Sequence, residues 1–284
     1  QVYMEAQESA GKKDGSQIKI AMRILKDYAG EMVTLDQIDG DFCRGYITYL
    51  LTEYHPKGKD ISNYTLHNYY RALNGALNSA VRKKKMKANP FNELEKSEKI
   101  RKPESMRSYM TIEEVQALID TPMPHEEYEI VKCAYLFSCF CGLRISDIIK
   151  LKWNDVFVDR GQYRLAVSMK KTKEPIYLPL SPEALKWMPE RGGKSSEDNV
   201  FDLPSANTIR MQLKPWAKAA GISKRFSYHT SRHTFATMML TLGADLYTVS
   251  KLLGHADVKM TQVYAKIINK KKDEAVNLVN GLFH

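Results

Sequence analysis

His229-Thr230-Ser231-Arg232-His233-Thr234-Phe235-Ala236-Thr237 is the stretch on which the reading of this chain turns. Thr230 or Ser231 can cap a helix over about 230–242, with His229 and Arg232, three apart, on one side of its first turn. A helix start carrying an arginine and a histidine is suited to an anion. His233, one step round, is expected to point inward as a structural histidine. Two further stretches flank this one. In Cys141-Gly142-Leu143-Arg144-Ile145-Ser146-Asp147, an apolar helix carrying Tyr135, Leu136 and Phe140 stops at Gly142 and a new one starts near Ser146. Arg144 thus stands at a corner, where it can pair with Asp147 or grip a phosphate through its planar fork. In Leu252-Leu253-Gly254-His255, Gly254 ends a helix and frees His255 to face a pocket; Tyr264 follows nine residues later, on the next helix. Most tyrosines are packing residues, and the chain has 16, so Tyr264 alone specifies nothing.

Taken in order, Gly-Leu-Arg, then His-x-x-Arg-His-Thr-Phe-Ala-Thr, then Leu-Gly-His with a tyrosine nine later resembles the phage integrase family, the tyrosine recombinases. The resemblance covers about 180 of the 284 residues. It implies that Arg144 and Arg232 clamp a scissile DNA phosphate, that His229 assists proton transfer and positioning, and that His255 packs on and hydrogen-bonds the phosphate. It makes Tyr264 the nucleophile, giving a 3′-phosphotyrosine and a free 5′-hydroxyl, with no cofactor, metal or ATP. The family's catalytic lysine lies in a β-hairpin, nine residues before the end of a strand closing in Pro-Leu. Counting back from Leu180 gives Lys171, followed by Thr172, with Lys170 and Lys173 as near alternatives. Two positions depart from the usual pattern: Asp147 stands where glutamate is more frequent, and Cys141 where threonine or serine is common. The Lys171-Thr172 hairpin favours a bacterial mobile-element integrase over a chromosome-dimer resolvase.

The chemistry suits these residue types. A phosphodiester repels nucleophiles, and its transition state gathers negative charge that guanidinium and imidazole groups can stabilise. A tyrosine, with pKa about 10, needs such a cationic pocket or a base for activation. The leaving 5′-oxygen needs a proton, which a lysine on a hairpin tip could supply.

Outward from these motifs, the fold class is mainly α with a small antiparallel β-sheet, in a two-domain tyrosine recombinase architecture. Helical periodicity marks 16–29, stopped by Gly30; a helix after Asp39 carrying Phe42, Tyr46, Tyr49 and Leu50; and one from Ser62 to about Lys85. That third helix ends in Arg82, Lys83, Lys84, Lys85 and Lys87. In a basic domain expected to expose many aromatics, these read as DNA-phosphate contacts as readily as a solvated helix end. Residues 97–108 have linker composition, rich in charge and poor in apolar side chains. The division is a helical domain over 1–96, that linker, and a domain over 109–284 opened by a Thr111/Glu114 capping box; the first, with Asn89-Pro90-Phe91 near its end, resembles the family's core-type DNA-binding domain and the second its catalytic domain. Runs at 156–158, 163–169 and 176–180 predict a three-stranded antiparallel sheet, and helices are expected at 182–189, 206–220, 230–242, 245–253 and 258–268.

Composition agrees. Forty-three basic against 33 acidic residues give +10, an excess that favours a polyanionic partner, here double-stranded DNA. Split at Glu104, both halves are net basic, as a clamp around a duplex requires. No apolar run much exceeds ten residues, against roughly 20 for a membrane span. Gln1 to Ser9 lacks the basic-then-apolar pattern of a signal peptide, and a first residue other than Met is consistent with an upstream arm-binding segment. Cys43, Cys133, Cys139 and Cys141, without a CxxC pair, read as reduced thiols of a cytoplasmic protein. The resemblance implies a homotetramer on two DNA sites, with accessory DNA-bending proteins as further partners; Ala275, Leu278, Val279 and Leu282 suit a C-terminal helix docking on a neighbour, or else packing on its own core. A type IB topoisomerase and a catalytically silent DNA-binding or architectural protein are the rival readings.

Overall fold

Asp39 and Ser62 start two helices in the first of two units into which the chain divides, Gln1–Ser105 and Met106–His284. The computed structural model describes residues 15–103, 107–168 and 175–264. In the first unit, α1 (Gly15–Ala29) ends at Gly30, whose φ of +84° suits glycine. Asp39 accepts the Phe42 N–H at 2.8 Å to open α2 (Gly40–Thr52), and Ser62 accepts the Thr65 N–H at 3.3 Å to open α3 (Asn63–Arg82).

Aromatics build much of the core of this unit, Tyr46 among them on the stripe expected for α2, although the domain is also expected to expose many aromatics. Tyr46, Tyr54, Tyr69, Tyr70 and Phe91 are buried; Tyr28 meets Phe42 and Tyr46 edge-on, with ring centres 5.3 and 5.7 Å apart. The third helix also stops sooner than its periodicity predicts. Lys84 takes φ +55°, and its N–H and that of Lys85 bond back to the carbonyls of Val81 and Ala80 at 2.9 Å each. This turns the chain off the helix and satisfies carbonyls the helix end would leave open. Lys83, Lys84, Lys85 and Lys87 therefore lie past the helix end on an exposed turn.

The second unit opens with the capping box of Thr111 and Glu114 at the start of α4 (Ile112–Asp120). At its centre runs α5 (Glu129–Cys141), on which Val131, Ala134, Tyr135, Leu136, Phe137 and Cys139 are fully buried. It ends at Gly142 (φ +74°), where a Cβ would lie 2.5 Å from the Phe235 ring. The short α6 (Ile145–Ile148) follows directly. Strands β1 (Val156–Asp159), β2 (Gln162–Ser168) and β3 (Pro175–Pro179) form an antiparallel sheet in the order β1-β2-β3, pairing Val156 with Leu165 and Leu165 with Leu178. Arg160 and Gly161, both at positive φ, make the tight hairpin between the first two.

Beyond the sheet come α7 (Pro182–Leu185), α8 (Ala206–Ala219), α9 (Tyr228–Thr241) and α10 (Leu246–Leu252). The helix expected over 182–189 is thus a single turn. Helix α9 lies against α5, where the Tyr228 hydroxyl donates to the Ala134 carbonyl at 2.6 Å. Of the helix expected over 258–268, Val258–Met260 is a 3-10 turn and residues from 265 on lie outside the described residues, as does the C-terminal stretch with Ala275 and Leu278. All four cysteines are free, and no helix of the described residues is long and apolar enough to cross a membrane.

Candidate active site

The cap of helix α9 lies three residues before the first of the caps its sequence suggests. Ser227 precedes the helix and donates its N–H to Thr230 Oγ1 at 3.0 Å, so Thr230 answers the cap and neither Thr230 nor Ser231 is the cap itself. His229 and Arg232 consequently sit within the helix, and Arg232 is 3 % exposed. Its guanidinium donates through Nη1 to the Gly142 carbonyl at 2.7 Å and through Nη2 to the Leu253 carbonyl at 2.5 Å. One side chain therefore ties the corner that carries Arg144 to the turn that carries His255. Burial, reinforced by the Arg144 charge, pulls Arg232 down to about 9, where it is still a cation at neutral pH. Arg144 precedes α6, with Nη1 3.9 Å from Asp147, itself buried.

Tyr264 is 2 % exposed and packs with Phe235, Ala236, Leu240, Val249 and Leu253. Its hydroxyl is hydrogen-bonded to Nδ1 of His233, which revises the expectation for that histidine: it is buried, but its partner is the tyrosine. The His229 ring stands edge-on to His233, with centres 4.6 Å apart. Nη1 of Arg107 donates to the same hydroxyl at 3.4 Å. Burial raises the pKa of Tyr264, while Arg107, Arg232 and Arg144 act to lower it. His255, half-buried after Gly254 (φ +60°), bonds through Nδ1 to Thr261 Oγ1 at 2.7 Å. It lines a cavity of about 490 Å³ between β3 and α10, together with Tyr177, Tyr247 and Lys251.

Arg144, His229, Arg232, His255 and Tyr264 thus belong to one unit and to one network of contacts and fields. Lys171, like Lys170 and Lys173, lies outside the described residues. Arg82, Lys83, Lys84, Lys85 and Lys87 belong to the first unit and are all exposed. Sequence reasoning passed over Arg107, which sits in a stretch of linker composition with no motif around it.

The buried His233 makes stability depend on pH. Burial, then the charges of His229 and Arg107, hold His233 down at about 3; burial, then Arg232, lowers His229 as well. Below the ordinary histidine value of about 6.5 the unfolded chain takes up protons that the folded chain refuses. Stability is therefore full above that value and falls as pH drops through it, by up to roughly 1.4 kcal/mol per pH unit for His233. Urea unfolding between pH 7 and 5, where carboxylates titrate little, should lose stability in wild type and lose less in His233→Asn. Equal slopes would remove His233 from this account.

Residues 108–271 match the Phage integrase family and residues 1–102 the Phage integrase SAM-like domain. A tyrosine recombinase of Pseudothermotoga lettingae is 29 % identical over 242 residues, 77 % of this chain and 82 % of that one. The tyrosine recombinase XerD of Vibrio vulnificus is 32 % identical over 184 residues, 60 % of this chain; the match spans 59 % of that relative, less than two thirds of its length. Among solved structures, XerH in a post-cleavage complex with a palindromic difH substrate superposes with a TM-score of 0.74 at 18 % identity, over 96 % of this chain and 82 % of the other. A lambda integrase dimer bound to a core site gives 0.67 at 19 % identity, over 92 % of each. These two likenesses concern the fold.

Proposed function

The chain belongs to the phage integrase family of tyrosine recombinases, and we propose that Tyr264 attacks a DNA phosphate, leaving a 3′-phosphotyrosine that a free 5′-hydroxyl later resolves. The observation that carries this reading is the Tyr264 hydroxyl lying in the field of three arginines, Arg107, Arg232 and Arg144. In this scheme Arg144 and Arg232 hold the non-bridging oxygens, whose charge grows in the transition state. His255, lining its cavity, hydrogen-bonds the phosphate, and His229 positions the attack. Lys171 protonates the departing 5′-oxygen, on the strength of its spacing from Leu180. The covalent link conserves the bond energy, so rejoining needs no ATP.

The reading extends to DNA integration and excision for a bacterial mobile element, by four copies on two duplexes that exchange C-terminal segments, with accessory DNA-bending proteins, in the cytoplasm. Its test is direct. Wild-type protein incubated with a nicked duplex that bears the junction sequence of the element encoding it should give an SDS-stable protein–DNA adduct. No adduct on that duplex would sink the recombinase reading.

The exposed cluster of Arg82, Lys83, Lys84, Lys85 and Lys87 is assigned to backbone phosphates. With six to ten phosphate contacts in all, affinity should drop roughly 10³–10⁵-fold between 50 and 200 mM salt. Replacing the five by glutamine should flatten that slope in a fluorescence-anisotropy titration. An unchanged slope would take the cluster out of the interface.

A further inference from the structure

The phosphate clamp leaves one atom unserved. Arg144, Arg232 and His255 are assigned to the substrate, while the oxygen that must lose its proton belongs to Tyr264. A phenol hydroxyl has one proton to donate and lone pairs to accept with, and here both capacities are met. His233, held neutral, can accept through Nδ1, and an arginine cannot accept, so Nη1 of Arg107 is the donor at 3.4 Å. The same guanidinium lies 5.7 Å from the centre of the Tyr264 ring.

Arg107 is not placed there by chance flexibility of a long side chain. The stretch after it is fastened at three successive residues. The Tyr109 carbonyl accepts from Lys224 Nζ at 2.7 Å, the N–H of the buried Met110 donates to Thr234 Oγ1 at 2.9 Å, and Thr111 caps α4. Lys224 also pairs with Glu114 at 2.5 Å. Thr234 is the neighbour of His233 on α9, so the backbone that carries Arg107 and the ring that accepts from Tyr264 share one rigid support.

We propose that Arg107 is a further catalytic residue, which stabilises the Tyr264 oxygen as a phenolate; the proposal rests on Tyr264 being the nucleophile. The hydroxyl gives up its proton to water, the oxygen forms its bond to phosphorus as the bond to the 5′-oxygen breaks, and that oxygen takes a proton from the lysine assigned above. The groups facing this pair are His229, Arg232, Arg144 and His255; none of them makes the Arg107 bond redundant, because only Arg107 donates to the oxygen among the described residues.

The test uses the full chain without DNA. Protein labelled with ¹³C at the tyrosine Cζ is titrated by NMR, and the Tyr264 signal is identified by its loss in Tyr264→Phe. In Arg107→Gln the Tyr264 midpoint should rise by about one pH unit, the lower end of the effect of an adjacent opposite charge. Arg107→Lys should restore most of it. A midpoint unmoved or lowered in Arg107→Gln would overturn the proposal. Because no DNA is present, this result stands apart from the adduct assay: failure there rejects the recombinase reading, failure here rejects Arg107 alone.

Discussion

Tyr264→Phe is expected to keep the fold and to lose the covalent adduct completely. The phenyl ring remains, so its packing against Phe235, Leu240, Val249 and Leu253 is preserved. What disappears is the hydroxyl, with its bonds to His233 and Arg107. A hydrogen bond of this kind contributes about 1 kcal/mol net, and His233 keeps an unpaired nitrogen in a buried place, so a loss of about 1–2 kcal/mol in urea unfolding is expected. The chemical effect is of another order. No other tyrosine is hydrogen-bonded to His233 or Arg107 among the described residues, so no second phenol stands ready to replace it. With DNA occupancy matched to wild type by anisotropy, the gel should show no SDS-stable species. A persisting adduct would move the nucleophile elsewhere.

Arg232→Ala should damage both chemistry and stability, and for separable reasons. The Gly142 and Leu253 carbonyls that Arg232 satisfies sit at the ends of α5 and α10, where no helical N–H reaches them. Each carbonyl stranded in the interior costs about 1–3 kcal/mol. Some of this is offset because a buried cation beside Arg144 is also removed. A net loss of about 2–4 kcal/mol is expected, with the adduct rate falling roughly 10²–10³-fold as a charge donor to the phosphate is lost. Arg232→Lys keeps the charge but cannot fork to both carbonyls, so it should recover part of each effect. Wild-type stability in the alanine variant would mean that the two tethers do not hold the corner.

Much of the fold was legible because its signals are local. Asp39, Ser62 and the Thr111/Glu114 box mark helix starts with side chains that reach only three residues ahead. Gly30 and Gly142 mark ends because only a left-handed backbone finishes those helices. The same locality misled at α9, where Thr230 and Ser231 read as caps but the cap is Ser227, whose N–H donates to Thr230. It misled again after Arg82, where the positive φ of Lys84 ends a helix that charge and periodicity would continue. In the first unit periodicity places Tyr46 on its apolar stripe, but composition does not say that Tyr54, Tyr70 and Phe91 join it in the core.

The candidate site divides along the same line. Tyr264 entered as one tyrosine of 16, and the sequence alone singled it out by the order and spacing of Arg144, His229, Arg232 and His255. Order along a chain carries no information about which atoms touch. That His233 is the tyrosine's hydrogen-bond partner, that Arg232 braces two backbone corners, and that Arg107 reaches the hydroxyl from 157 positions away were decided by tertiary packing alone. The physical reason is that a hydrogen bond depends on position and direction within a few tenths of an ångström, and only the folding of α9 against its neighbours sets these.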